Sequence, residues 1–291
     1  MKIVVAGGTG FLGEPLVQRL VARGDDVTVL TRNPQKVETG RGVHWDGKTQ
    51  GAWSEDVAAA DLVINLAGEN ISEGRWTEER KRRLIDSRLH ATTAIVQARP
   101  RTLINASAVG IYGDRGDEVL DERSPRGSGF LAELVDQWEN AARAAESFAR
   151  LVIIRFGIVL APDGGALKKL LLPFKLGVGG PIGSGKQWMS WVDREDALRL
   201  VEWAIANPNA RGVYNATAPE PLRNRELSRT LAHALHRPAI LPTPPFALRL
   251  LFGEMADEAL LAGQRAVPRR ALDEGFGFER PTLADSLAAQ L

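Results

Sequence analysis

The chain has 291 residues, 44% of them hydrophobic and 25% charged, with a formal net charge of +1 and no cysteine. That balance describes an ordinary globular protein of one large or two coupled domains. It offers no basic face for nucleic acid or an anionic membrane, no apolar run near the roughly 20 residues of a membrane helix, and no thiol for disulfides, nucleophilic catalysis or metal binding. A cytoplasmic protein is the simplest expectation, with the apolar N-terminus read as a strand rather than a leader.

The first stretch organises the rest. Ile3-Val4-Val5-Ala6 is a short β-branched run closed by Gly7-Gly8-Thr9-Gly10-Phe11-Leu12-Gly13. Leu16, Val17, Leu20 and Val21 then fall on one helical face, and Gly24 suits the helix C-terminus. Strand, glycine turn and helix form the context of a dinucleotide-binding fingerprint. In it the first glycine permits the turn, the middle one lets a pyrophosphate touch backbone, and the last lets helix and strand pack closely. Free N–H groups at the helix start then face the phosphates.

Val27-Thr28-Val29-Leu30 is a second strand, ending in Thr31-Arg32. An acid at this point would bond the 2′-hydroxyl of NAD, whereas an arginine accommodates the 2′-phosphate of NADP. The acid is missing, so the sequence favours NADP. Residues 43–53 read as an irregular segment with a short third strand. Asp61 to Gly68 gives another buried strand, whose Leu66-Ala67-Gly68 should pass under the adenosine half of the cofactor. Thr77 caps a following helix, from which Arg88 points inward at phosphate.

Thr102 to Ala106 is a strand ending in Ser107-Ala108-Val109-Gly110-Ile111-Tyr112-Gly113, followed by an acidic loop without the ligand spacing of a calcium site. Phe130 to Phe148 carries apolar residues at helical spacing, and Leu151 to Ile154 forms a further strand. Strands alternating with helices predict an α/β fold, a doubly wound parallel sheet over residues 1–160. Residues 161–291 are expected to form a smaller α/β lobe covering a substrate cleft, with a distinct segment from about 240. Within the lobe, Gly180 to Gln187 nearly spells a P-loop, but Gln187 takes the magnesium-binding Ser/Thr position and no strand precedes it. A flexible flap is the expectation there.

The glycine turn, Asn65-Leu66-Ala67-Gly68, Ser107 through Gly113 and Trp191-Val192-Asp193 resemble the extended short-chain dehydrogenase/reductase superfamily. More narrowly, Gly68-Glu69-Asn70-Ile71, Arg75-Trp76, Ser87-Arg88-Leu89, Trp138-Glu139, Gly179 to Gly185 and Gly275-Phe276-Gly277-Phe278 resemble its atypical "epimerase family", which ends in a domain of unassigned role. The resemblance implies a Rossmann-like fold binding NADP(H). It implies cofactor contacts from Gly7, Thr9, Gly10, Phe11, Leu12 and Gly13, from Thr31 and Arg32, from Leu66, Ala67 and Gly68, and from Arg88.

Active members of the superfamily carry a tyrosine four residues before a lysine, with a serine nearby to orient substrate. This chain has two tyrosines, Tyr112 and Tyr214, and neither is followed by that lysine. Four residues on from Phe130 is Leu134, from Leu131 it is Val135, and Ala108 takes the usual place of the serine. Tyr112 and Ser107 are the substitute catalytic candidates, with Asp114 and Glu133 behind them. The expected activity is an oxidoreductase or epimerase acting on a small polar, sugar-like substrate. A non-catalytic NADPH sensor is the alternative. Relatives of this kind often pair through helices, which makes a homodimer the assembly to expect.

Overall fold

The computed structural model describes residues 1–291. Its first half alternates strand and helix: β1 (Lys2–Ala6), α1 (Gly13–Ala22), β2 (Asp26–Thr31), β3 (Arg41–His44), α2 (Trp53–Ala59), β4 (Leu62–Asn65), α3 (Glu78–Gln97), β5 (Thr102–Ala108), α4 (Phe130–Arg143) and β6 (Arg150–Phe156). The second half holds β7 (Ile158–Ala161), α5 (Gly165–Lys175), β8 (Trp191–Asp193), α6 (Arg194–Ala206), β9 (Gly212–Ala216), α7 (Asn224–Ala234), α8 (Pro245–Phe252), α9 (Arg269–Asp273) and α10 (Leu283–Gln290).

Seven parallel strands form the central sheet in the order β9-β6-β5-β4-β1-β2-β3. Helices cover both faces, which is why the strands are apolar on both sides rather than alternating. Ile3 and Val5 pack with Leu16 and Leu20 of α1 and with Leu198 and Val201 of α6. Val4 and Ala6 point the other way, toward Val57 of α2, Ile95 of α3 and Ala142 of α4. The order reverses between β1 and β4, and in such sheets that reversal opens a crevice at the carboxyl ends of the strands.

The sheet crosses the boundary expected at residue 160. β9 pairs with β6 in register Gly212↔Val152 to Ala216↔Phe156, and α6 lies over the same face as α1. Residues 212–216 read as a strand from the sequence, but the partner of a strand follows from packing that letters do not encode.

The smaller lobe is built on the parallel pair β7–β8, with α5, α7 and α10 enclosing Leu160, Phe174, Trp191, Leu231 and Leu287. The last segment packs Met255 and Ala266 against Trp76, Tyr112 and Leu134. The glycine-rich stretch is a bonded turn, not the free flap expected. Gly183 N–H donates to Thr243 O at 2.9 Å, Gly185 N–H to Ile182 O at 3.0 Å, and Lys186 N–H to Ser184 Oγ at 3.2 Å. Those amides are spent within the protein, so the stretch makes no phosphate cradle. No helix is long and apolar enough to cross a membrane.

Candidate functional site

The turn after β1 is shaped by contacts that exclude side chains. Gly7 has φ +78°, and a Cβ there would lie 2.8 Å from the carbonyl of Leu66. A Cβ on Gly13 would fall 2.1 Å from Gly7 O, so α1 can start this close to β1 only on a glycine. Gly10 N–H donates to Gly7 O at 3.0 Å and closes the turn.

A cleft of about 530 Å³ opens at the carboxyl ends of β1, β2 and β4. Gly7, Thr9, Gly10, Thr31, Arg32, Leu66, Ala67 and Gly68 all line it, so segments far apart in sequence converge on one place. Arg32 is exposed there, with no ion pair or side-chain hydrogen bond inside the protein. Thr31 Oγ1 accepts the Asn33 N–H at 3.2 Å and shapes the chain as it leaves β2.

The side chains of Phe11, Leu12 and Arg88 contact neighbouring parts of the protein. The Phe11 ring turns toward the smaller lobe, under the Arg194 guanidinium at 5.2 Å and against Gly164. Leu12 packs on the core cluster that α1 and α6 share, and Gly13 sets the helix spacing. Arg88 backs onto Gly68, where a Cβ would lie 3.3 Å from its Cγ. Its Nη1 donates to Leu84 O at 2.9 Å and its Nη2 to Glu69 O at 3.0 Å, while the guanidinium lies 5.1 Å from the Trp138 ring. Burial pushes its pKa down to about 10. Arg88 thus holds the turn after β4 in place.

Residues the sequence did not single out complete the cleft, notably Trp45, Asp46, Lys48, Arg83 and His90. Trp45, Asp46 and Lys48 come in through the pairing of β2 with β3, which the irregular 43–53 segment conceals, and Arg83 and His90 come in on α3.

Tyr112 and Ser107 come together, but inside the protein. Tyr112 is 0% exposed. Its hydroxyl donates to Asn215 Oδ1 at 2.8 Å and accepts from Arg155 Nη1 at 2.9 Å. Ser107 Oγ donates to Glu139 Oε1 at 2.6 Å, and Arg155 grips the same carboxylate at 2.7 and 2.8 Å. Burial works against both charges, yet the hydrogen bonds hold Glu139 below the usual carboxylate range and raise Arg155. Burial pushes the Tyr112 hydroxyl up to about 12. Both candidates therefore belong to a satisfied buried network that ties β5, α4, β6 and β9 together. In this structure both hydroxyls spend their hydrogen bonds on that network. Asp114 and Glu133 are exposed on either side of the 115–129 loop, away from this network.

Comparison with known proteins supports the same frame. Residues 3–217 match the NAD dependent epimerase/dehydratase family, and residues 243–290 match a domain of unknown function, DUF1731. The chain is 41% identical over 290 residues to an epimerase family protein of Mycobacterium tuberculosis, covering 98% of this chain and 96% of that one. It is 40% identical over 301 residues to a chloroplastic SDR39U1 homolog of Arabidopsis thaliana, covering 99% and 86%. The crystal structure of human epimerase family protein SDR39U1 with NADPH superposes with a TM-score of 0.89 at 35% identity, over 100% of this chain and 99% of that one. The chain belongs to the NAD-dependent epimerase/dehydratase family, in the branch of epimerase family proteins that carry this C-terminal domain.

Proposed function

We propose that the cleft binds NADP(H), and that the chain is an oxidoreductase or epimerase-like protein acting on a small polar substrate. The observation that carries the cofactor reading is Arg32, an unpaired guanidinium at the end of β2 where an NAD-selective protein carries an acid. Three features fit the group: a glycine turn open to a diphosphate, a small-residue wall at Leu66 to Gly68, and Arg32 beside the ribose position. The similar human protein was crystallised with NADPH. When bound, the nicotinamide supplies hydride chemistry. A similar protein of Corynebacterium glutamicum, 30% identical with a TM-score of 0.81 over 99% of this chain and 57% of that one, is described as a nucleoside-diphosphate sugar epimerase. Sugar nucleotides are therefore the first substrates to try.

One observation favours a second reading, a non-catalytic NADPH sensor. Ser107 and Tyr112, the side chains nearest to the superfamily's acid/base pattern, are consumed by the Glu139–Arg155 network. Calorimetry tests the cofactor first: Arg32→Ala should weaken NADP+ while leaving NAD+ nearly unchanged, and equal losses would sink the assignment. NADPH fluorescence across a panel of sugar nucleotides and small carbonyls then separates the readings. Turnover of any member selects the enzyme; binding without turnover, together with a reproducible protein partner, selects the sensor.

A further inference from the structure

β2 and β3 run parallel in register Thr31↔His44, and the ladder continues one step further, with Trp45 N–H donating to Thr31 O at 2.9 Å. The chain therefore leaves both strands side by side, and Arg32 and the 45–48 turn enter the same cleft together.

That turn is held rigidly by Asp46. One carboxylate oxygen accepts the N–H groups of Lys48 at 2.9 Å and Thr49 at 2.8 Å, and the other accepts Thr49 Oγ1 at 2.8 Å. Those bonds lower the Asp46 pKa to about 2, so the turn keeps its form across the physiological range. They also occupy the nearest carboxylate. The Lys48 ammonium is left without an ion pair, whereas Glu69 on the far wall is taken by Arg80 and Arg83. Arg32 and Lys48 are thus the two unpaired strong cations lining the cleft, on neighbouring strand ends. A phosphate monoester carries a charge of about −1.5 to −2 near neutral pH, more than one guanidinium balances.

We propose that Lys48 is a second specificity-determining residue for the cofactor, its ammonium joining Arg32 on the 2′-phosphate of NADP(H). This rests on the NADP(H) reading of the cleft. Trp45 is buried in the same wall and reports on it, because a bound nicotinamide nucleotide should quench its emission. Lys48 is exposed and its side chain makes no ion pair or hydrogen bond inside the protein, so its replacement leaves the fold intact.

The test is equilibrium binding of NADP+ and NAD+ to the native chain and to Lys48→Ala, Lys48→Arg and Arg32→Ala, by calorimetry and tryptophan quenching at two salt concentrations. Lys48→Ala should weaken NADP+ by about 5- to 10-fold and NAD+ by less than about twofold, with a shallower salt dependence. Lys48→Arg should restore most of the NADP+ affinity. A selective loss in Arg32→Ala with none in Lys48→Ala overturns the role of Lys48 and leaves the cofactor reading standing. Equal losses for both nucleotides in Lys48→Ala also overturn it. A native chain that does not prefer NADP+ overturns the cofactor reading, and this inference with it.

Discussion

Gly13 has no room for a side chain, because a Cβ there would sit 2.1 Å from Gly7 O and 2.7 Å from Gly8 Cα. Both are backbone atoms and cannot swing aside. Gly13→Ala should therefore cost about 1–3 kcal/mol in urea unfolding, and it should weaken nucleotide binding by moving α1 away from the turn. Tyr112 predicts the opposite pattern. Removing its hydroxyl leaves Asn215 Oδ1 and Arg155 Nη1 short of a buried partner, so Tyr112→Phe should lose about 1–3 kcal/mol of stability while NADP+ affinity stays unchanged. Its pKa is raised from 10.0 to about 12 in the folded protein, so this stability is fully present below pH 10 and is lost as pH rises toward 12. Unfolding followed from pH 8 to 11 should show a smaller alkaline fall in Tyr112→Phe than in the native chain; equal slopes would contradict this. Glu139 behaves in reverse. Its depressed pKa stabilises the fold above the ordinary value of 4.5 and stops doing so as pH falls through the folded-state value.

At the scale of elements, the residue before α4 is Gly129, which has no side chain to cap the helix. The carboxylate of Glu258 reaches across from the π-helical turn Ala256–Leu261, and its Oε2 accepts the Leu131 N–H at 3.3 Å. A negative group at the positive end of a helix is favourable, and here it also fastens the C-terminal segment to the main sheet's covering helix. Glu258→Ala should cost about 0.5–2 kcal/mol, with faster amide exchange confined to the first turn of α4. α3 has a local solution: Thr77 Oγ1 accepts the Arg80 N–H at 3.1 Å. The sequence announces the Thr77 cap because cap and helix are adjacent. The Glu258 cap spans 127 residues and leaves no mark in the pattern.

Across the whole molecule, the C-terminal segment is woven into both lobes. Asp193 is 1% exposed, and its carboxylate accepts from Arg280 Nη1 at 3.1 Å and from Ser286 Oγ at 2.6 Å. Phe276 lies in the core cluster between the sheet and α6. A chain ending at residue 242 would leave a buried carboxylate without its cation and a gap in that core. It should lose the cooperative thermal transition of the full chain in calorimetry. A truncated chain that unfolds with the native midpoint would show the segment to be a separate module.

Much of this architecture could be read in advance, for identifiable reasons. Ile3 to Ala6, Leu62 to Asn65 and Leu151 to Ile154 stand out because strands buried on both faces must be apolar throughout. The glycine turn stands out because positive φ and close backbone approach admit almost no other residue. Arg32 followed from its place at a strand end. Three things were decided only by folding: that β9 completes the sheet, that Lys48 lines the same cleft as Arg32, and that Ser107 and Tyr112 are spent on Glu139 and Arg155. Each depends on which distant segments become neighbours and in what register. Local preference and spacing describe a residue's own element, whereas a hydroxyl's availability is set by the partner that packing brings to it.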